Sequence, residues 1–246
     1  MSKLSDRIRR AAKVTPARLG FGPATVQAKR PTMLLVVKLG ASESGKAADA
    51  VSAGADAIIA AGDPSKVKAE GAILGLAPDK ADAKAAEAAR TAGVDFLVLD
   101  PAKALAEAML DQKLGYVLAL DEPMDDVRTR LLGDLNLDAI LVKSPSTPVT
   151  LASLIELRRL GALTRTPMLV QVDAGIDQML LQVLRDSGTA GVVIEASAIG
   201  KLGELKERIA ALPTPGHKKE DRAEVTVSAN AAAGHDHDDG YDDDDD

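Results

Sequence analysis

The sequence predicts an α/β fold, a small (β/α)8 barrel running over residues 32–212, and three observations carry that expectation. Eight short apolar runs recur along this span without the polar alternation of a half-exposed sheet, which is the pattern of parallel strands covered on both faces by helices. Helix-length segments rich in Ala, Leu and charged residues separate them. The same punctuation also returns at the strand ends. Gly54-Ala-Asp56, Gly93-Val-Asp95 and Leu137-Asp138 precede runs two, four and six, with Gly suited to a left-handed helix end and Asp to the turn that follows.

In chain order, residues 2–13 place Leu4, Ile8 and Ala11 at helical spacing among Arg7, Arg9, Arg10 and Lys13, so a short amphipathic helix capped by Ser5 is expected. Its basic face reads as a solvated cover over one end of the domain, or as a contact for an anionic surface. An irregular Pro/Gly segment, 15–32, completes an N-terminal region of 1–31. The strands are expected at Met33–Val37, Ala57–Ala61, Ala72–Leu76, Phe96–Leu99, Tyr116–Leu120, Ala139–Val142, Met168–Val172 and Val192–Ile194. Helices are expected around 44–53, 64–69, 79–92, 102–113, 124–134, 150–160, 176–187 and 199–212. Asp63, Asp79, Asp100 and Asp121 stand just after strands where helix-capping carboxylates belong. Residues 213–246, which end in His235-Asp-His237 and a run of Asp, hold too little apolar surface to offset ordering entropy and read as a disordered acidic tail.

Composition removes several chemistries. There is no Cys, and all three His (His217, His235, His237) lie in the tail, so the barrel has no thiol nucleophile, imidazole base or His/Cys metal site. A net charge of −7 with two Phe, two Tyr and no Trp argues against a nucleic-acid surface. No apolar run reaches the length of a membrane span, and a cytoplasmic protein is expected. No motif favours a flavin or nicotinamide, and no cofactor or metal is expected. A shallow barrel often covers apolar helix faces by self-association, so a homo-oligomer is expected, with no patch assigned.

Eight such units resemble the aldolase-type and ribulose-phosphate-binding TIM barrels, with about 23 residues per unit and therefore short loops and no inserted lid. A doubly wound open sheet is the rival, without a glycine-rich fingerprint after the first strand. Sites on such barrels form at the C-terminal strand ends. There the chain carries Lys38, Asp100, Lys143, Gln171, Asp173 and Glu195, and closure of the barrel would set Glu195 between two cations. A salt-bridged plug and a binding site both fit that arrangement.

The segment Asp138-Ala-Ile-Leu-Val-Lys143-Ser144-Pro145-Ser146-Thr147 resembles strand six of class I aldolases, which implies Lys143 as an imine-forming nucleophile. Gln171 and Asp173 stand where that family carries a second lysine. Asp173-Ala-Gly175 and the stretch from Gly191 through Glu195 and Ser197 resemble the phosphate loops after strands seven and eight, implying Gly175 and Ser197 as anion donors. Glu195 replaces a usual glycine. Ser197 reads equally as a helix cap. A weaker reading gathers Asp100, Asp121, Glu122 and Asp173 around a hard divalent cation.

The expected function is therefore binding of a small anionic or carbonyl metabolite, in its sharpest form as an aldolase-like lyase. In that reading Lys143, Lys38, Glu195 and Asp173 are catalytic, and Gln171, Gly175, Ser197 and Asp100 bind substrate. The competing class is a non-catalytic barrel retained as a scaffold, with the acidic tail as its working part.

Overall fold

A computed structural model describes residues 2–12, 32–122, 124–143 and 149–213. The irregular segment and the acidic tail expected from the sequence lie outside the described residues, as do Ser144–Thr147 of the aldolase-like segment.

The eight strands form one closed parallel barrel in sequence order: β1 Leu34–Leu39, β2 Ala57–Ala61, β3 Ile73–Ala77, β4 Phe96–Leu99, β5 Gly115–Leu120, β6 Ala139–Val142, β7 Met168–Gln171 and β8 Thr189–Glu195. The open-sheet rival is excluded by the seam, where β1 pairs with β8 from Leu34↔Gly191 to Lys38↔Glu195. All eight expected runs are strands. The largest difference is β8, which starts three residues early. Thr189-Ala190-Gly191 resembles a turn in sequence, yet a Cβ at Gly191 would press to 2.9 Å against Leu34 and Leu169, so only glycine allows the close approach there.

Seven α-helices are described: α1 Lys3–Ala12, α2 Ala47–Ser52, α3 Ala83–Thr91, α4 Asp126–Leu132, α5 Leu151–Thr164, α6 Gln178–Asp186 and α7 Leu202–Ala210. Two expected helices shrink to short 3-10 segments, Pro64–Lys66 after β2 and Ala106–Leu110 after β4. After β2 the chain must descend the barrel in too few residues for a helix, so Val67 is already extended. Two of the expected caps move. Asp82, not Asp79, caps α3 by accepting from the Ala85 N–H, and Asp125, not Asp121, caps α4 by accepting from the Arg128 N–H. Asp63 and Asp100 close tight turns by accepting the N–H groups of Ser65 and Ala102.

Both faces of the sheet are covered. Outward residues pack under the helices in one apolar layer. Inward residues, among them Leu34, Val36, Ile59, Phe96, Val117, Leu141, Leu169 and Val193, fill the lumen as stacked layers. On β3, Gly75 is required because a Cβ there would overlap the Phe96 ring beside it.

Helix α1 closes the lower end, opposite the strand tips. Leu4 is 0% and Ile8 4% exposed, and both pack into the lumen layer. The basic helix is thus a stopper: its charged side chains stay exposed over one end of the barrel, as expected, while two apolar teeth enter it. Around them the recurring aspartates hold polar contacts: Arg7 pairs with Asp56 at 2.5 Å, Lys3 with Asp95 at 2.6 Å, and the Ser2 hydroxyl donates to Asp138 at 2.5 Å. Asp56 and Asp95 also accept the N–H groups of Leu35 and Leu74 on the preceding strands. Ser2, not Ser5, caps the helix, since its hydroxyl accepts the Ser5 N–H at 3.1 Å. Gly115 leaves the space that Ser2 and Asp138 occupy.

Burial pushes the Asp138 carboxyl above the ordinary carboxylate range, against the opposing hydrogen bonds from Ser2 and the backbone. A carboxyl raised in the folded state binds its proton more tightly there than when unfolded, so this group costs stability as pH rises from its ordinary value of 3.8 through the raised one. Asp138→Asn is therefore expected to gain thermal stability relative to the parent as pH increases across that window. Melting curves of both proteins at acidic and neutral pH read this out, and a constant difference between them would contradict it.

Among the described residues, no helix is long and apolar enough to cross a membrane. Val127, Leu131, Leu151 and Ile155 are left exposed on α4 and α5.

Candidate functional site

Strand parity decides which side chains reach the upper mouth. Residues two beyond the inward Val36, Leu141, Leu169 and Val193 are Lys38, Lys143, Gln171 and Glu195, so alternation along each strand delivers all four to the lumen side.

The seam brings three of them together. Lys38 Nζ lies 3.4 Å from Glu195 Oε1, and Gln171 Nε2 donates to the same oxygen at 2.8 Å. Glu195 therefore sits between one cation and one amide instead of two cations. Lys143 turns away to Asp121 at the tip of β5, with Nζ 3.0 Å from Oδ1. The β5–β6 register explains this: Leu120 faces Val142, so the next residues, Asp121 and Lys143, emerge side by side. Lys143 is therefore paired, and it does not join the Lys38–Glu195 contact in a single salt-bridged plug.

Three other sequence-predicted residues are engaged locally. Asp173 accepts the Gly175 N–H at 2.7 Å, which closes a turn and commits the amide expected to receive an anion. Ser197 lies inside the 3-10 segment Ala196–Lys201 and is exposed, so it is not the helix cap. Asp100 pairs with Lys103 at 2.9 Å, and that contact first, with the Ala102 N–H second, holds its carboxyl below the usual range while raising Lys103. The hard-cation set is dispersed accordingly: Asp100 is held by Lys103, Asp121 by Lys143 and Asp173 by its own loop. Among the described residues, no cluster of three or more His, Asp or Glu could hold a metal ion.

A cavity of about 310 Å³ opens beside the Lys143–Asp121 pair, between the outer faces of β5 and β6 and helices α4 and α5. Its wall is mainly hydrocarbon from Leu120, Met124, Val142, Leu157 and Leu160, with the buried Thr129 among them. Sequence reasoning entered Asp121 as a cap and as a weak cation ligand, and missed it as the partner of Lys143. The missed signal was Asp125, a better-placed cap for α4 that released Asp121 from that role. A larger cleft of about 800 Å³ lies at the opposite end, between α1 and the turns that lead into β6 and β7. It faces away from the strand tips, the end at which barrels of this class carry their chemistry.

No protein-family model matches the chain, and no curated protein matches it. Solved structures do resemble it. Tryptophan synthase from M. tuberculosis, in its open form, superposes with a TM-score of 0.59 at 13% identity over 86% of this chain and 98% of that one. Thiamine phosphate pyrophosphorylase from Pyrococcus furiosus gives 0.55 at 14% identity, covering 72% of this chain and 95% of that one. A tryptophan synthase alpha-subunit from Pyrococcus furiosus gives 0.53 at 14% identity, covering 72% and 96%. At these identities the likeness is one of architecture: the chain has the closed parallel barrel expected from its resemblance to the ribulose-phosphate-binding TIM barrels.

Proposed function

We propose that the upper face of this barrel binds a small carbonyl or anionic metabolite, with Lys143 as its polar centre. The observation that carries the reading is the Lys143–Asp121 ion pair at the mouth of the apolar cavity. Each side chain of the pair is 65% exposed, so the contact adds little to stability and both groups are accessible to a ligand. Lys38, Gln171 and Glu195 form a second polar group on the same rim, and the folds to which the chain is similar belong to proteins whose names place them among metabolic enzymes.

The sharper form is an aldolase-like lyase. Asp121 would take one proton from the Lys143 ammonium, and the freed amine would attack a carbonyl carbon. The two hydrogens left on nitrogen would depart with the carbonyl oxygen as water to give an imine, to which Asp121 can return its proton. Incubating the full chain with a panel of aldehydes and 2-keto acids, then adding borohydride, is expected to leave one adduct, mapped to Lys143 and lost in Lys143→Arg. An unmodified Lys143 across the panel overturns the lyase form. The absence of any ligand-induced thermal shift overturns the binding reading itself.

A non-catalytic scaffold is the second reading, favoured by one observation: Lys143 is already an ion pair, and an ammonium is not a nucleophile. The acidic tail given a role in that reading lies outside the described residues.

A further inference from the structure

The cavity beside Lys143 divides its chemistry sharply. The wall beyond the mouth is mainly hydrocarbon, from Leu120 and Val142 on the strands, Met124 ahead of α4, and Leu157 and Leu160 on α5, and the buried Thr129 hydroxyl in it donates to the Asp125 carbonyl at 2.7 Å. Polar side chains gather at the rim, where opposite charges stand 3.0 Å apart. Arg159, the other cation of the rim, is already occupied: it pairs with Asp126, with Glu156 at 3.0 Å, and donates to the Met124 carbonyl at 2.9 Å. It acts as a strut between α5 and the start of α4.

The charge count selects the ligand. Asp121, Glu122 and Glu156 outnumber Lys143 and Arg159, so a phosphate or other multiply charged anion would meet more repulsion than attraction. A plain cation would leave Lys143 unpaired, and a plain monoanion would do the same to Asp121. A molecule that presents an ammonium and a carboxylate a few ångströms apart replaces the protein's own pair without leaving either partner unsatisfied. The volume is at the low end of small-molecule sites, which fits one compact apolar group and not a nucleotide.

We propose that this cavity binds an α-amino acid with an aliphatic side chain, its carboxylate on Lys143, its ammonium on Asp121 and its hydrocarbon against Met124, Leu157 and Leu160. The inference rests on the reading that a small metabolite binds here through Lys143, and it makes the anionic group on Lys143 the carboxylate of a zwitterion. No bond forms or breaks, and Lys143 stays an ammonium throughout.

Calorimetry and amide-shift NMR on the full chain test the proposal with four probes: L-leucine, 4-methyl-2-oxopentanoate, isopentylamine and glycine. L-leucine is expected to bind saturably and to shift the amides of Met124, Leu157 and Leu160. The keto acid, the amine and glycine, each lacking one of the three contacts, are expected to bind at least about tenfold more weakly. Lys143→Met and Asp121→Asn should each weaken L-leucine by a similar factor while leaving the melting curve in place, since both side chains are exposed. Equal binding of the keto acid or the amine overturns the zwitterion assignment, as does L-leucine binding that survives both substitutions. If the keto acid binds, L-leucine does not and borohydride traps Lys143, the amino-acid proposal falls while the metabolite site stands. If no probe binds and no adduct forms with any carbonyl compound, both fall.

Discussion

Leu4→Ala is expected to lower the unfolding free energy by about 2–5 kcal/mol, a large share of the roughly 5–15 kcal/mol that holds a domain together. Leu4 is fully buried in the lumen layer, ahead of the barrel in sequence and at its lower end in space. Truncation opens a cavity where strands from all round the barrel converge, and a closed barrel has little freedom to collapse into it. Lys3→Ala and Arg7→Ala remove the neighbouring ion pairs, yet these side chains are 75% and 49% exposed, so each should cost well under about 1 kcal/mol. Urea unfolding of the three variants separates the two contributions. A Leu4→Ala midpoint within error of the parent, or a Lys3→Ala loss matching that of Leu4→Ala, would mean that α1 is held by charge and not by burial.

The second large effect is expected in the middle of the barrel. Phe96→Ala should cost about 3–5 kcal/mol, because the ring is fully buried and is the largest side chain in the lumen. Its neighbour gives the more discriminating measurement. At Gly75 any Cβ overlaps the Phe96 ring, so Gly75→Ala should also destabilise, by about 1–3 kcal/mol of overpacking. Combined with Phe96→Leu, which vacates ring atoms, the Gly75→Ala penalty should shrink. A double-mutant cycle with a coupling energy of about 0.5–3 kcal/mol is the expected result, and simple additivity would refute the account of Gly75 as space reserved for the ring.

The architecture was legible because parallel strands buried on both faces leave unbroken apolar runs, and eight of them at short intervals leave few alternatives to closure. The seam followed from closure, and with it the meeting of Lys38 and Glu195. What escaped was information about competition. Asp121 and Asp125 both qualify in sequence as caps for α4, and the helix starts where Asp125 accepts the Arg128 N–H, which leaves Asp121 to take Lys143. Asp56, Asp95 and Asp138 are visible as a repeat in the sequence, but their partners are not, because nothing local links position 3 to position 95. The spacing was nonetheless there. Lys3 and Arg7 share one stripe of α1, Leu4 and Ile8 the adjacent one, which is the pattern of a helix that grips with its charges while inserting its aliphatic groups.

The stopper helix has a consequence for how the chain reaches this structure. Its residues precede every strand in the chain, while Ser2 must wait for Asp138, a partner 136 positions downstream. Such remote contacts are entropically expensive to form early, so α1 should dock after the strands have assembled. Loosening it would then leave the folding rate nearly unchanged and make the finished molecule open faster. In that sense the helix that precedes the barrel in the chain acts last, as the latch that sets the lifetime of the native state.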